Sequence, residues 1–431
     1  MTREFDAAMG DRGEEAATSS SSIPAGERCE IANALGEVFP WPRSHIDPPA
    51  AYGWLRDQEP VRRVLLAGDQ PGWLVTRYEH VRQILADPRA SSDSRLPGFP
   101  RFGLPPLPAD ERSLLRMDPP DHTTFRRLLS RHFAVRRIEA LRPRIQQLVD
   151  DTIDELLARP KRSADLVQSF TLPIPSIVLS WILGVPAGDR EFFNKASESM
   201  LNRFGGPEDL ERSIEARQEI RDYITNLVEE RSALADQPDD ILGTLIDAER
   251  ADVITRSDVI NHGISLIVAG HESTANMGAL GTLVLLEHPE QLAELRADPG
   301  LLPGAIEELL RYLTVVHLSV TRVASEDLEL AGNVIPAGEA IIPLTLSANR
   351  DASKYDNPDQ FDVRRAARDH LAFGFGIHQC VGQPLARVEL QVIYGTLIRR
   401  IPTLRLAKPA DDIAFKAFAP INGVFELLVE W

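Results

Sequence analysis

The tightest constraint on this chain lies near its C-terminus. There Phe373-Gly374-Phe375-Gly376-Ile377-His378-Gln379-Cys380-Val381-Gly382 runs directly into a helical apolar pattern at Leu385, Val388, Val392, Ile393 and Leu397. Two glycines ahead of the cysteine let backbone N–H groups turn toward its sulfur, and the following helix aims its positive end at the same atom. Both effects favour thiolate over thiol. A single cysteine in a globular chain is ordinarily a small buried hydrophobe, so it is the surrounding loop that marks Cys380. Gly382 leaves the backbone room beside a flat group.

A thiolate in a glycine-rich loop suits axial ligation of haem iron, because it pushes electron density toward the metal and favours O–O cleavage. The pattern F-G-x-G-x-H-x-C-x-G, with Arg387 and Glu389 following, resembles the haem-binding loop of the cytochrome P450 family. That resemblance implies a mainly α fold with small β-sheets and haem b (iron protoporphyrin IX) between a long distal helix and the cysteine loop. It makes Cys380 the axial ligand of the iron and places Phe373, Gly374, His378 and Gly382 beside the cofactor.

Composition narrows the remaining classes. The chain has 431 residues, 43% hydrophobic and 26% charged, enough to bury a large core. Lys+Arg 47 against Asp+Glu 64 gives net −17, which argues against a nucleic-acid or anionic-membrane partner. Cys29 and Cys380 are the only cysteines, so neither a disulfide framework nor a cysteine-rich zinc site is available, and the chain reads as cytoplasmic. Residues 1–25 read as a disordered leader without a signal-peptide core, and no apolar stretch of ~20 residues follows. Residues 26–431 are expected to form one domain, and a monomer is expected.

Along the chain, Ala51 to Gln58 and Tyr78 to Leu85 carry helical patterns around a short strand at Gly72 to Thr76. Residues 91–110 hold Pro97, Pro100, Pro105, Pro106 and Pro108 with Phe99, Phe102, Leu104 and Leu107 between them. Regular helix is excluded there, and the apolar side chains suggest a loop folded over something greasy. Helical periodicity then dominates over 123–132, 137–158, 175–184, 210–235, 255–287 and 290–313. Short strands are expected at Leu328 to Leu330 and Val334 to Gly338, with a terminal hairpin from Phe415 to Trp431. There is no internal repeat and no Walker or Rossmann glycine pattern.

Thr255-x-x-Asp258 can cap a helix that reaches Ala269-Gly270-His271-Glu272-Ser273-Thr274. Gly270 weakens that helix locally, and Ser273 can bond back to the carbonyl four residues earlier and bend it. The segment resembles the family's A-G-x-E/D-T-T, in which an acid and its neighbouring alcohol relay protons during oxygen activation. Glu272 and Ser273 fall at those positions with Thr274 beside them, while Ala269 and Gly270 border the cofactor. Serine keeps the hydroxyl but loses the methyl that restricts its rotamer, so a working but leakier relay is expected.

Glu308-x-x-Arg311 places a carboxylate and a guanidinium on one helical face, a spacing that is ordinarily a weak surface pair. It resembles the family's buried E-x-x-R, which implies a structural lock behind the haem. Haem propionates require cationic donors, and His122, Arg126, Arg322 and His378 stand where the family has them. Ala348-Asn349-Arg350-Asp351 and Pro358-x-x-Phe361-x-x-x-Arg365 resemble further family segments and read as scaffold.

Arg126, Arg127, Arg131, His132, Arg136, Arg137, Arg142 and Arg144 crowd one stretch of an acidic chain. By the resemblance this is the side on which an acidic ferredoxin docks, with NAD(P)H drawn on through a ferredoxin reductase and O2 as co-substrate. The chain itself carries no flavin or iron–sulfur motif. Family topology puts Phe99, the segment Phe192 to Phe204, Val268, Val316, His317, Phe418 and neighbouring residues around a mostly apolar distal pocket. His317, Ser319 or Asn202 would orient polar groups. A large hydrophobic molecule such as a polyketide, macrolide or terpenoid is implied, as for the actinobacterial hydroxylases of secondary metabolism and xenobiotics that residues 269–292 are similar to. The competing readings are a peroxide-driven haem-thiolate peroxygenase, which would dispense with the acid and alcohol, and a non-catalytic haem-binding recruitment module, which the intact cysteine loop disfavours.

Overall fold

The structure, a computed structural model, describes residues 36–102, 112–189, 207–316, 320–365, 367–416 and 419–431, together with Phe192, Lys195, Ala196, Ser199 and Leu318. The expected leader, Cys29, Asn202, His317, Ser319, Phe418 and part of the proline-rich segment lie outside the described residues.

The chain opens with helix α1 (Ala50–Gln58), the antiparallel pair β1 (Val61–Leu66) and β2 (Gln70–Val75), α2 (Tyr78–Ala86) and β3 (Ala90–Ser91). A helical body follows: α3 (Asp121–Ser130), α4 (Val135–Leu157), the short strand β4 (Ser163–Asp165), α5 (Pro173–Leu183), α6 (Pro207–Ser232), α7 (Ile241–Arg250), α8 (Arg256–Glu287), α9 (Pro289–Ala297) and α10 (Leu302–Leu313). Strands β5 (Arg322–Ala324), β6 (Leu328–Leu330), β7 (Asn333–Ile335) and β8 (Ala340–Pro343) come next. The chain closes with α11 (Thr345–Ala348), α12 (Gln383–Arg400), β9 (Arg405–Leu406) and β10 (Leu428–Glu430). Small sheets flank a helical body, as expected for this fold class.

Three sequence expectations change in detail. The helical stretch 290–313 is two helices, broken at Asp298-Pro299, because Pro299 has no N–H to continue the ladder of α9. Helix α7 was not anticipated, although its signal is local: the Asp240 side chain accepts from the Gly243 N–H and caps it. The terminal hairpin is confined to a bridge between Phe415 and Val424, while β10 pairs with β4 and β9 instead. Long-range pairing of this kind leaves no mark on local periodicity.

The largest sheet has the order β1-β2-β8-β5-β3, with β2 and β8 parallel. It brings Arg322 on β5 into one layer with the N-terminal strands. The main apolar core runs through α4, α5, α8, α10 and α12, with α8 at its centre and packed on α5, α6 and α12. Helix α8 begins with the expected capping box, Thr255 and Asp258 each accepting from the other's backbone N–H. It is buried over most of its 32 residues, the behaviour of a helix apolar on all faces.

The buried pair is where the resemblance implied. Arg311 and Glu308 are both 0% exposed, with Arg311 Nε and Nη2 donating to the two carboxylate oxygens at 2.7 and 2.8 Å. Nη1 donates to the carbonyls of Asn349 at 2.7 Å and Pro358 at 2.8 Å, and Nη2 also reaches the Gln360 carbonyl at 3.4 Å. Arg365 Nη1 donates to the same carboxylate at 2.7 Å, so the P-x-x-F-x-x-x-R scaffold segment and the E-x-x-R helix form one ionic cluster. Asn349 then accepts from the Leu371 N–H through Oδ1 at 2.7 Å and so fixes the chain just ahead of the cysteine loop.

Candidate active site

The cysteine loop is shaped by two glycines with left-handed backbone, Gly374 at φ +70° and Gly376 at φ +75°. Gly376 is sterically required as well, since a Cβ there would lie 2.5 Å from the Leu85 carbonyl at the end of α2. The loop closes when the Cys380 N–H donates to the Phe373 carbonyl at 2.8 Å. Of the two sources expected, the start of the following helix is the one that acts: the N–H groups of Gly382 and Gln383 at the beginning of α12 draw the thiol down. Burial pushes the thiol up, and this outweighs the downward pull of those N–H groups, Arg126 and Arg387. The expected preference for thiolate is therefore reversed in the chain alone: the loop supplies donors, and only a cation at the sulfur would supply the rest.

Cys380 is accessible to a water-sized probe and yet enclosed by enough protein to raise its thiol. Both observations fit a sulfur that faces an interior space. Beside it, a Cβ on Gly382 would meet nothing closer than 3.8 Å, the nearest atom being the Cys380 sulfur itself. Helix α8 opens in the same manner: Ala269 is accessible midway along an otherwise buried helix, with Val268, Gly270 and Ser273 half-buried next to it. Thr274 points into the core.

His122 and His378 meet ring to ring at 4.3 Å. The Nε2 atoms of both and Nη2 of Arg322 are buried with no hydrogen-bond partner. Arg322 is 3% exposed, and burial brings its guanidinium down to about 10, with only Asp118 opposing. Burial together with Arg322, His122, Arg116 and Arg126 lowers His378 to about 3. Asp118 is 4.0 Å from His378 Nε2 and already accepts from Ser91 and the Ser92 N–H. Arg126, whose Nη1 donates to the Gln379 carbonyl at 2.6 Å, faces Cys380 electrostatically. A cluster of buried basic side chains, with Arg322 charged and the two histidines held neutral by burial, whose polar atoms lack partners beside an accessible sulfur, is a site for a group that offers a Lewis-acidic centre and anionic oxygens. Haem, with iron and two propionates, fits that donor set.

On the distal side, Ser273 Oγ donates to the Ala269 carbonyl at 2.9 Å, the back-bond expected. Helix α8 nevertheless continues unbroken to Glu287. Gly270 serves close packing, because a Cβ there would be 3.2 Å from Leu179 on α5. Glu272 turns toward Lys416 Nζ, 2.8 Å from Oε1, and not toward Ser273, while its Oε2 is buried without a partner. Lys416 was not anticipated from sequence.

Other expected positions sort by burial. Phe99 is buried with the Arg116 guanidinium 5.0 Å above its ring. Val316 is half-buried and bridges Ile421. Within the arginine-rich stretch, His132 is 1% exposed, bonds Thr244 Oγ1 at 2.6 Å and is lowered by burial to about 4, so it adds no charge to that surface at neutral pH. Arg127 and Arg136 are exposed, Arg131 is exposed but bonds Thr244 and lies 3.9 Å from Asp239, Arg137 pairs with Asp239 and Arg144 stacks on Trp181. Glu307, also unanticipated, holds Arg387 with two bonds of 2.7 and 2.9 Å behind the cysteine loop. Among the described residues, no helix is long and apolar enough to cross a membrane.

Comparison with known proteins gives a consistent result. The family model described as Cytochrome P450 matches residues 59–404. "Cytochrome P450-SU2" of Streptomyces griseolus is 46% identical over 376 residues, covering 86% of this chain and 91% of that protein. "Pentalenic acid synthase" of Streptomyces avermitilis is 44% identical over 400 residues, covering 91% and 97%. Among solved structures, the mycinamicin VIII C21 methyl hydroxylase MycCI from Micromonospora griseorubida, bound to mycinamicin VIII, superposes with a TM-score of 0.85 at 39% identity, over 91% of this chain and all of that one.

Proposed function

The chain belongs to the cytochrome P450 family of haem-dependent monooxygenases, and within it we propose an enzyme that oxidises a large hydrophobic secondary metabolite with electrons from a ferredoxin and its reductase. The observation that carries this reading is the accessible Cys380 sulfur beside the orphaned donors of His122, His378 and Arg322. Bound there, haem supplies the activation of O2 and the insertion of oxygen into a C–H bond or an alkene.

The chain's own residues divide the remaining work. Cys380 would provide the sulfur that holds the iron. His122, Arg126, Arg322 and His378 would bind the two propionates, whose oxygens would serve the buried polar atoms of His122, His378 and Arg322 that have no partner. Ala269 and Gly270, the small and accessible part of α8, would leave room for the cofactor beside that helix. Glu272 and Ser273 would hold and pass protons on the α8 side of the site, whereas Thr274, turned into the core, takes no part. Val268 and Val316 border the apolar substrate space, and the exposed Arg127, Arg131 and Arg136 attract an acidic ferredoxin. Relatives that form pentalenic acid or hydroxylate mycinamicin VIII support the substrate class.

The deciding experiment drives purified, haem-loaded protein with reduced ferredoxin and O2 in the presence of candidate polyketides and terpenoids. Product with ferredoxin, at a rate that falls as salt screens the arginine surface, is expected. Product with hydrogen peroxide but none with ferredoxin would select the peroxygenase reading instead.

A further inference from the structure

The distal acid is gripped from outside its own helix. Lys416 Nζ lies 2.8 Å from Glu272 Oε1, and the pair is nearly enclosed, with side chains 12% and 6% exposed. Lys416 sits on the hairpin whose arms meet at Phe415 and Val424, and its own N–H donates to the Gly423 carbonyl at 2.8 Å. Gly423 presses on the next turn of α8, since a Cβ there would be 2.1 Å from Asn276 Oδ1. Asn276 Nδ2 in turn reaches Glu272 Oε1 at 3.4 Å. One hairpin thus touches α8 at Glu272 through a cation and at Asn276 through a bare backbone. The same hairpin is anchored to the substrate-side segment after α10 by the bridge Val316–Ile421 and by the Asn422 N–H donating to the Val315 carbonyl at 2.8 Å. Lys416 lies beyond residues 59–404 matched by the family.

We propose that Lys416 is the positioning residue of the distal acid: it holds the Glu272 carboxylate aimed at the C-terminal hairpin, so that proton delivery depends on where that hairpin sits. This rests on the reading of Glu272 as the proton-handling acid. The ionic surroundings are sparse. His271 is the neighbouring titratable group, 3% exposed and held neutral by burial and by Lys416. The elements packed on this part of α8 add none: α5, over Gly270, has no ionisable side chain from Pro173 to Leu183, and α12 approaches through Tyr394, whose hydroxyl donates to the Met277 carbonyl. Earlier on α8, α6 and α7 meet Gly263 through Ile224 and Leu242. Among the described residues the other group hydrogen-bonded to Glu272 is Asn276, so a carboxylate deprived of Lys416 would be buried against neutral groups, and a proton becomes its substitute for the ammonium.

The test compares haem-loaded parent, K416M, K416R, E272Q and the K416M/E272Q double variant. In K416M the acid limb of the pH profile for coupled product formation is expected to move upward by about one unit or more, the usual effect of an opposite charge within ~4–6 Å, with K416R restoring the parent profile. Infrared difference spectra of K416M at neutral pH should gain the carbonyl stretch of a protonated carboxyl that K416M/E272Q lacks. A K416M profile superimposable on the parent, with no such band, overturns the proposal. If E272Q leaves coupling and pH profile unchanged, the proton role of Glu272 fails, while the infrared band still decides whether Lys416 holds its charge. Should K416M lose haem, K416Q gives the same two readouts.

Discussion

The cluster of Glu308, Arg311 and Arg365 allows a sharp energetic test. Glu308→Gln removes the one anion among two guanidiniums, leaving Arg311, 0% exposed, with carbonyl acceptors but no counter-charge. Stripping one partner from a buried ion pair costs about 3–5 kcal/mol. Arg365→Met is milder, because Glu308 keeps both bonds from Arg311 and Arg365 is itself 17% exposed. The loss is one charge-assisted hydrogen bond, about 1.5–3 kcal/mol. With 431 residues, an unfolding entropy of about 2.1 cal/mol/K per residue amounts to about 0.9 kcal/mol/K, so the two variants should melt about 3–6 °C and about 2–3 °C below the parent. The double variant should fall well short of the sum, since Arg365 has already lost its partner once Glu308 is neutral. Thermal unfolding followed by circular dichroism, with the haem-to-protein absorbance ratio as a parallel measure, settles the matter. A Glu308→Gln melt within a degree of the parent, or strict additivity, would refute the view that one carboxylate holds both arginines in the core.

The other expectations concern cofactor and pH. Cys380→Ser should abolish the long-wavelength Soret maximum of the ferrous carbon monoxide complex while a folded, haem-containing protein can still be isolated. Arg322→Met should act in opposite directions on the two forms: the haem-free protein melts higher because an uncompensated buried cation is gone, whereas the holoprotein releases haem faster. A uniform loss in both forms would mean that Arg322 serves only packing. Burial raises Glu389 from its ordinary 4.5 to about 8, and its Oε1 has no partner, so the fold keeps a proton there that the unfolded chain gives up. The stabilisation from that neutral carboxyl is complete below pH 4.5 and is lost as pH rises toward 8. Glu389→Gln should therefore flatten the decline in melting temperature between pH 5 and 8, and an unchanged slope would count against a protonated Glu389.

What could be read ahead of the fold was chemistry carried by neighbours in the chain. The capping box of Thr255 and Asp258, the Glu308–Arg311 spacing and the glycine turns around Cys380 are set by residues a few positions apart, where helix and turn geometry alone bring side chains together. Lys416 with Glu272, Arg365 with Glu308, and Glu307 with Arg387 are separated by 144, 57 and 80 positions. No periodicity announces such pairs, and only packing of the hairpin and loops onto the helices makes them. His132 shows the converse: beside five arginines it reads as surface charge, yet the turn after α3 buries it against Thr244 of α7.

By itself, the sequence determined the helical class and singled out one cysteine sulfur and four basic side chains, because each depends on residue type in a local pattern. Tertiary structure decided how those groups are charged. Burial turns Cys380 toward thiol and leaves the donors of His122, His378 and Arg322 without partners. It also gives the distal acid to a lysine from the far end of the chain. Ionisation depends on desolvation and on charges brought close from distant positions, and neither exists until the chain has folded.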